Sequence, residues 1–239
     1  CRLADLLEEL CGVEGIRWIR LLYAYPDRLT DEIIDVMARE EKIVKYIDLP
    51  IQHCCGEVLK RMNRPGDRQS LENTVKKLRE KIPGITVRTT LIAGFPGETE
   101  QQFEELSEFV KEMKFERLGC FRKLIDNIIA DIVFSPYNLG HVEKQLSEEE
   151  KNRRAEIIME QQSFISDQIS GQKVGQTVDV LVEGYDTYIK HFYGRTPADA
   201  PDIDCKIFFK SKSKPNPGDF VKVRVTDVLD MDLLGEEEL

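Results

Sequence analysis

Arg88-Thr89-Thr90-Leu91-Ile92-Ala93-Gly94-Phe95-Pro96-Gly97-Glu98 runs a buried-strand pattern into a glycine-flanked acidic turn, and its reading decides the fold of the larger part of the chain. Leu91, Ile92 and Ala93 form a short apolar run bounded by turn residues, as in a strand covered on both faces within a parallel sheet. Thr99 is placed as an N-cap for a helix that runs on through Met113, with Glu98 just outside it. Gly94 and Gly97 remove two side chains at the carboxyl end of the strand, where ligands approach the backbone in α/β barrels. The same residues also suit an ordinary strand-turn-helix joint. The eleven residues alone leave both readings open.

Outward from that stretch, strand and helix signals alternate. Ile16 to Tyr23 predicts a strand, Asp27 to Arg39 a helix, Val44 to Pro50 a strand, and Gly56 to Met62 and Ser70 to Lys81 helices. Strand Ile85 to Ala93, helix Thr99 to Met113 and strand Arg117 to Phe121 follow. This alternation predicts a parallel sheet with right-handed crossovers. Ser147 to Ser170 predicts one long helix linking two domains, with Ser147 as N-cap and Glu150 completing a capping box.

After Gly171 the period changes to two. Val174 to Glu183, Tyr188 to Arg195, Asp204 to Phe209 and Phe220 to Asp227 alternate apolar with polar residues, and a fifth strand is placed around Leu229 to Gly235. Val178, Val180 and Val182 are expected to point inward, as are Val221, Val223 and Val225. The expected architecture is a partial (β/α) barrel over residues 1–146, a linker helix over 147–170 and a small antiparallel β-barrel over 171–239.

Charge and composition limit the partners. The 239 residues carry a net charge of −10, with 41% hydrophobic and 33% charged residues, enough for a real core. Residues 171–239 hold 9 Lys plus Arg against 13 Asp plus Glu, a balance of −4. A sequence-independent grip on phosphates needs the opposite sign, so nucleic acid is a poor partner. Lys206, Lys210, Lys212 and Lys214 cluster, and a solvated hairpin tip explains them. No apolar run approaches the roughly 20 residues of a membrane span, and the first ten residues pattern as an amphipathic helix, which implies a cytoplasmic protein. The six cysteines form no regular framework and read as reduced thiols. His53-Cys54-Cys55 lacks the Cys-x-x-Cys spacing of a zinc site. The chain opens inside a helix, so further sequence is expected upstream of Cys1.

Gln52-His53 with Val58-Leu59-Lys60-Arg61-Met62-Asn63-Arg64, then Arg88-Thr89-Thr90 with Gly94-Phe95-Pro96-Gly97-Glu98, resembles the radical S-adenosylmethionine methylthiotransferases. Gly194-Arg195-Thr196, Ala200-Pro201-Asp202-Ile203-Asp204 and Gly218-Asp219-Phe220 resemble the OB-like TRAM barrel of the RimO branch, whose members methylthiolate an aspartate on the twelfth protein of the small ribosomal subunit. The resemblance implies S-adenosylmethionine and four-iron, four-sulfur clusters as cofactors. It implies cofactor contacts at Gln52, Arg64, Arg88, Thr90, Gly94 and Glu98, a guanidinium suiting the methionine carboxylate through its planar fork. Each has a plainer role too, such as a helix-end charge or a strand-end cap. It implies the ribosomal protein as partner through the TRAM barrel. The sister branches act on transfer RNA, and a non-catalytic protein-binding module is a further alternative.

Two departures from the family pattern stand out. Three cysteines spaced by three and two residues, which ligate the radical cluster, are absent from this sequence, so the chain alone is expected to be inactive with no metal site of its own. Over 122–142 the family carries a Tyr-Ser-x-Glu-x-Gly-Thr-like segment, and this chain has an atypical one that includes Lys123-Leu124-Ile125-Asp126-Asn127.

Overall fold

Hydrophobic period and caps place the elements close to where the sequence puts them. The computed structural model describes residues 2–122 and 145–238. Helix α1 (Leu3–Gly12), β1 (Ile19–Leu21), α2 (Asp31–Arg39), β2 (Ile43–Asp48), α3 (Gly56–Arg61), α4 (Arg68–Lys81), β3 (Thr86–Ala93), α5 (Glu100–Met113) and β4 (Arg117–Arg122) follow in order. The strands form one sheet, β1-β2-β3-β4, with every pair parallel. Thr99 caps α5 in a reciprocal box with Gln102: Thr99 Oγ1 accepts from Gln102 N at 3.2 Å, and Gln102 Oε1 accepts from Thr99 N at 3.1 Å.

Two helix starts shift for local reasons. The helix expected from Asp27 begins at Asp31, because Leu29 and Thr30 are extended and Pro26–Arg28 forms only a 3-10 turn. Helix α4 begins at Arg68, since the Asp67 side chain accepts from Ser70 N at 2.9 Å and the Asp67 backbone N donates to Ser70 Oγ at 2.9 Å in return. Apart from Arg122, the atypical segment 122–142 lies outside the described residues.

Helix α6 (Glu148–Gly171) packs on β3, β4 and α5, so the helix expected to link two domains also joins the helical layer of the sheet. Its buried stripe, Lys151, Arg154, Ile158, Gln162 and Ile165, has helical spacing and begins with two cations. Ser147 caps it by accepting from Glu150 N at 3.2 Å. The second half of the expected box is replaced, because the Glu150 carboxylate accepts from Arg153 and Arg154 instead.

The rest is a closed five-stranded barrel: β5 (Thr177–Asp186), β6 (His191–Arg195), β7 (Ile207–Lys210), β8 (Phe220–Leu229) and β9 (Asp232–Glu237), in the order β5-β6-β7-β9-β8. Val180, Val182, Ile207, Phe209, Val223, Val225 and Leu233 fill it, with Val178 and Val221 packed at its edge. Closure pairs β7 with β9 in parallel, Ile207 opposite Leu233, so the barrel is mixed. Because β7 and β8 are not neighbours, Lys212 and Lys214 lie on an exposed crossing between them and not on a hairpin tip.

Barrel and sheet meet through the connection between β6 and β7. Ala200 packs with Val44, Tyr46 and Trp18, and Trp18 meets the Phe220 ring edge-on at 4.8 Å.

Candidate functional site

At the carboxyl end of β3 the residue types sort by face. Val87 and Leu91 are buried in the core shared with the helices. Arg88 and Thr90 alternate with them on the other face, half-buried and opposite Arg117 and Gly119 of β4. Gly94 and Gly97 both turn with φ of 74°. A Cβ at Gly94 would stand 2.7 Å from Lys151 Cγ and 3.1 Å from its Cα, so on that side the glycine admits the first turn of α6.

Glu98 joins that turn to α6. Its Oε2 accepts from Phe95 N at 3.0 Å, and its Oε1 accepts from Arg154 Nη1 at 2.8 Å. Both side chains of the pair are almost fully buried. Burial pushes the Glu98 carboxyl upward against the pull of Arg154. Arg154 also reaches Glu150 at 2.6 Å and Glu100 at 2.9 Å, so its whole fork is engaged.

Gln52 and His53 lie just beyond the end of β2, where Gln52 bridges to Leu91 of β3 in parallel. Gln52 N donates to Thr90 O at 2.8 Å and Gln52 O accepts from Ile92 N at 2.8 Å, with Gln52 held at φ of 72°. That conformation is rare for a side-chain-bearing residue and is often retained at functional positions. Gln52 is 7% exposed, and neither its side-chain amide nor the Thr90 hydroxyl has a hydrogen-bond partner among the described residues. His53 Nδ1 accepts from Cys55 N at 3.0 Å, which fixes the proton of the neutral ring on Nε2. That buried Nε2 has no hydrogen-bond partner among the described residues and lies 3.7 Å from Glu98 Oε2. Burial, then the charges of Arg61 and Arg154, lower the His53 pKa to about 3.

Arg64 makes no hydrogen bond or ion pair with the other five among the described residues and enters from the Pro50–Ile51 side. It donates to Pro50 O at 2.9 Å, lies 5.1 Å from the Tyr25 ring centroid, and lines a cavity of about 450 Å³ with Tyr25, Arg28, Ile51 and Asn63. Arg88 is tied to two carboxylates, Asp48 at 2.8 Å and Asp204 at 3.4 Å. The structure therefore brings Gln52, Thr90, Arg88, Gly94 and Glu98 around adjoining strand ends, with Gln52 and Thr90 carrying side-chain polar atoms that have no partner among the described residues. The partners Arg154, Asp48 and Asp204 escaped sequence reading. One signal existed: cations at 151 and 154 continue the apolar stripe of α6, a pattern that places charge inside.

A model described as the radical SAM superfamily matches residues 2–110, and one described as the TRAM domain matches residues 174–237. The ribosomal protein uS12 methylthiotransferase RimO of Caldanaerobacter subterraneus subsp. tengcongensis is 44% identical over 234 residues, covering 98% of this chain and 51% of that protein. The chain belongs to the RimO-type radical S-adenosylmethionine methylthiotransferases with a TRAM domain. The protein of the same description from Clostridium novyi is 42% identical, with 98% of this chain and 50% of that one covered. The chain thus spans about half the length of the curated relatives it matches. Among solved structures, coproporphyrinogen III oxidase (HemN) from Escherichia coli aligns with a TM-score of 0.50 at 21% identity, over 69% of this chain and 36% of that one, a likeness of fold alone. No helix among the described residues is long and apolar enough to cross a membrane.

Proposed function

We propose that this chain forms the cofactor-facing half-barrel and the TRAM barrel of an enzyme that adds a methylthio group to an aspartate side chain of ribosomal protein uS12. The observation that carries the reading is the 44% identity over 98% of the chain to a protein of that description. The balance of −4 over residues 171–239 favours a basic protein over transfer RNA as the docking partner. A cytoplasmic site of action follows from that substrate.

The family's cofactors are S-adenosylmethionine and a four-iron, four-sulfur cluster. This chain's cysteines do not fit the cluster. The sequence holds no three cysteines spaced by three and two residues, and among the described residues no three metal-ligating side chains gather. The site fits S-adenosylmethionine better, because the Gln52 amide and the Thr90 hydroxyl have polar atoms to offer and Arg64 keeps N–H groups for a carboxylate. S-Adenosylmethionine supplies the hydrogen-abstracting chemistry of the family. Arg88, Gly94 and Glu98 contribute by fixing the strand ends around it.

The test has two arms. Purified anaerobically and reconstituted with iron and sulfide, the chain should hold no stoichiometric cluster by iron analysis and absorbance, and should give no product alone. Joined to a segment carrying the three-cysteine motif, it should methylthiolate uS12, read by mass spectrometry. Product on transfer RNA alone would overturn the substrate assignment.

A further inference from the structure

The connection from Thr196 to Asp204 leaves the small barrel and lies against the sheet face that carries Arg88 and Thr90. Its buried aspartates both end on strands of that sheet. Asp199 accepts from Arg117 Nη2 at 2.7 Å and is oriented by the Thr196 hydroxyl at 2.5 Å. Asp204 accepts from Tyr46 Oη at 2.7 Å and from Ala200 N at 2.8 Å, and stands 3.4 Å from Arg88 Nε.

From Arg88 the contacts run on toward the carboxyl end of the sheet. Arg88 Nη1 donates to Asp48 Oδ1 at 2.8 Å, and Asp48 Oδ2 accepts from Tyr23 N at 3.2 Å. The Asp48 carbonyl accepts from Ala24 N at 2.9 Å. Tyr23 is left-handed, with φ of 57°, a conformation that is unfavourable for such a residue and needs outside support. Two residues on, Tyr25 meets Arg64 in the cavity described above.

We propose that Asp204 is a positioning residue for this site: supplied by the TRAM barrel, it fixes Arg88, which fixes the Asp48 carboxylate, which holds the Tyr23–Tyr25 turn against Arg64. The assignment deepens the reading of this site as the cofactor-facing end of a methylthiotransferase. It makes the TRAM barrel part of the site's frame as well as a docking surface. The physical basis is that the half-buried Arg88 is held between two buried carboxylates on different elements, so removing one lets the guanidinium turn and frees the other.

The test is amide-resolved hydrogen exchange on this chain. Asp204→Asn keeps acceptors for Tyr46 and Ala200 but loses the charge facing Arg88. Exchange at Tyr23 and Ala24 should rise about tenfold while amides of α4 and β8 keep their rates. Arg88→Gln should give the same local pattern, and the double variant should exchange no faster at Tyr23 than Arg88→Gln alone. Unchanged exchange at Tyr23 in either single variant, additive effects in the double variant, or a uniform rise through both halves would each overturn the assignment. Should Asp204→Asn fail to fold, Asp204→Glu, which displaces the carboxylate from Arg88, is read in the same way. No cofactor or ribosomal protein enters the measurement, so its failure leaves the methylthiotransferase reading standing, and absent methylthio product leaves this one standing.

Discussion

The small barrel and the α/β half bury different chemistry. Inside the barrel every core side chain is apolar, and the buried Thr196 and Asp199 belong to the connection that faces the sheet. In the α/β half, Asp48, His53, Glu98, Arg117, Lys151 and Arg154 are buried beside the apolar core. An apolar core loses stability in proportion to the contacts removed, whereas a buried ion pair fails abruptly when one member is left alone. The half that carries the candidate site is therefore the half that depends on pairs.

The largest expected effect sits on the most buried of these pairs. Arg154→Met leaves Glu98 in the interior without its counter-charge and should cost about 3–5 kcal/mol in urea unfolding. Pairing it with Glu98→Gln should recover much of that loss. A cost under about 0.5 kcal/mol for the single variant would sink the contrast. In the barrel, Val180→Ala removes two methyl groups from a fully buried position and should cost about 2 kcal/mol, with no partner substitution that restores it.

The same contrast explains what the sequence made legible. Periods of 3.6 and 2 are local, and they placed β3, α5 and the barrel strands to within a few residues. The β7·β9 pairing is set by how the sheet closes, which no local pattern encodes. Glu98 was legible as a residue at a helix entrance, but its partner lies on α6 and was chosen by packing. Arg88 was singled out from a motif, and nothing within that motif indicates Asp204. Long-range polar pairs are what a single sequence hides most, and this site is made of them.

His53 sharpens the comparison through pH. Its folded pKa of about 3 lies below its ordinary 6.5, so below pH 6.5 the unfolded chain takes up a proton that the folded chain refuses. Stability should therefore fall as pH drops from 6.5 toward 5, with this residue contributing up to about 1.4 kcal/mol per unit. His53→Gln should flatten that part of the curve in urea titrations at pH 7, 6 and 5. An unchanged slope would mean that the folded imidazole takes up its proton over the same pH range as the unfolded one, with Glu98, 3.7 Å away, offsetting the effect of burial.

The smallest effects come from two helix starts that look alike in sequence and differ in structure. Thr99 holds a reciprocal box with Gln102, so Thr99→Ala leaves Gln102 N without its acceptor and loosens the returning bond to Gln102 Oε1, and should cost about 1 kcal/mol. Ser147 accepts from Glu150 N only, because the Glu150 carboxylate is drawn to Arg153 and Arg154, whose hydrogen bonds lower its pKa to about 2. Glu148, Glu149 and Glu150 still complement the helix N-terminus when the serine is gone. Ser147→Ala should therefore cost about half as much, measured in the same urea series. The reverse order would show that Glu150 closes the box in solution, and that its pull toward Arg154 is weaker than the buried pair with Glu98 requires.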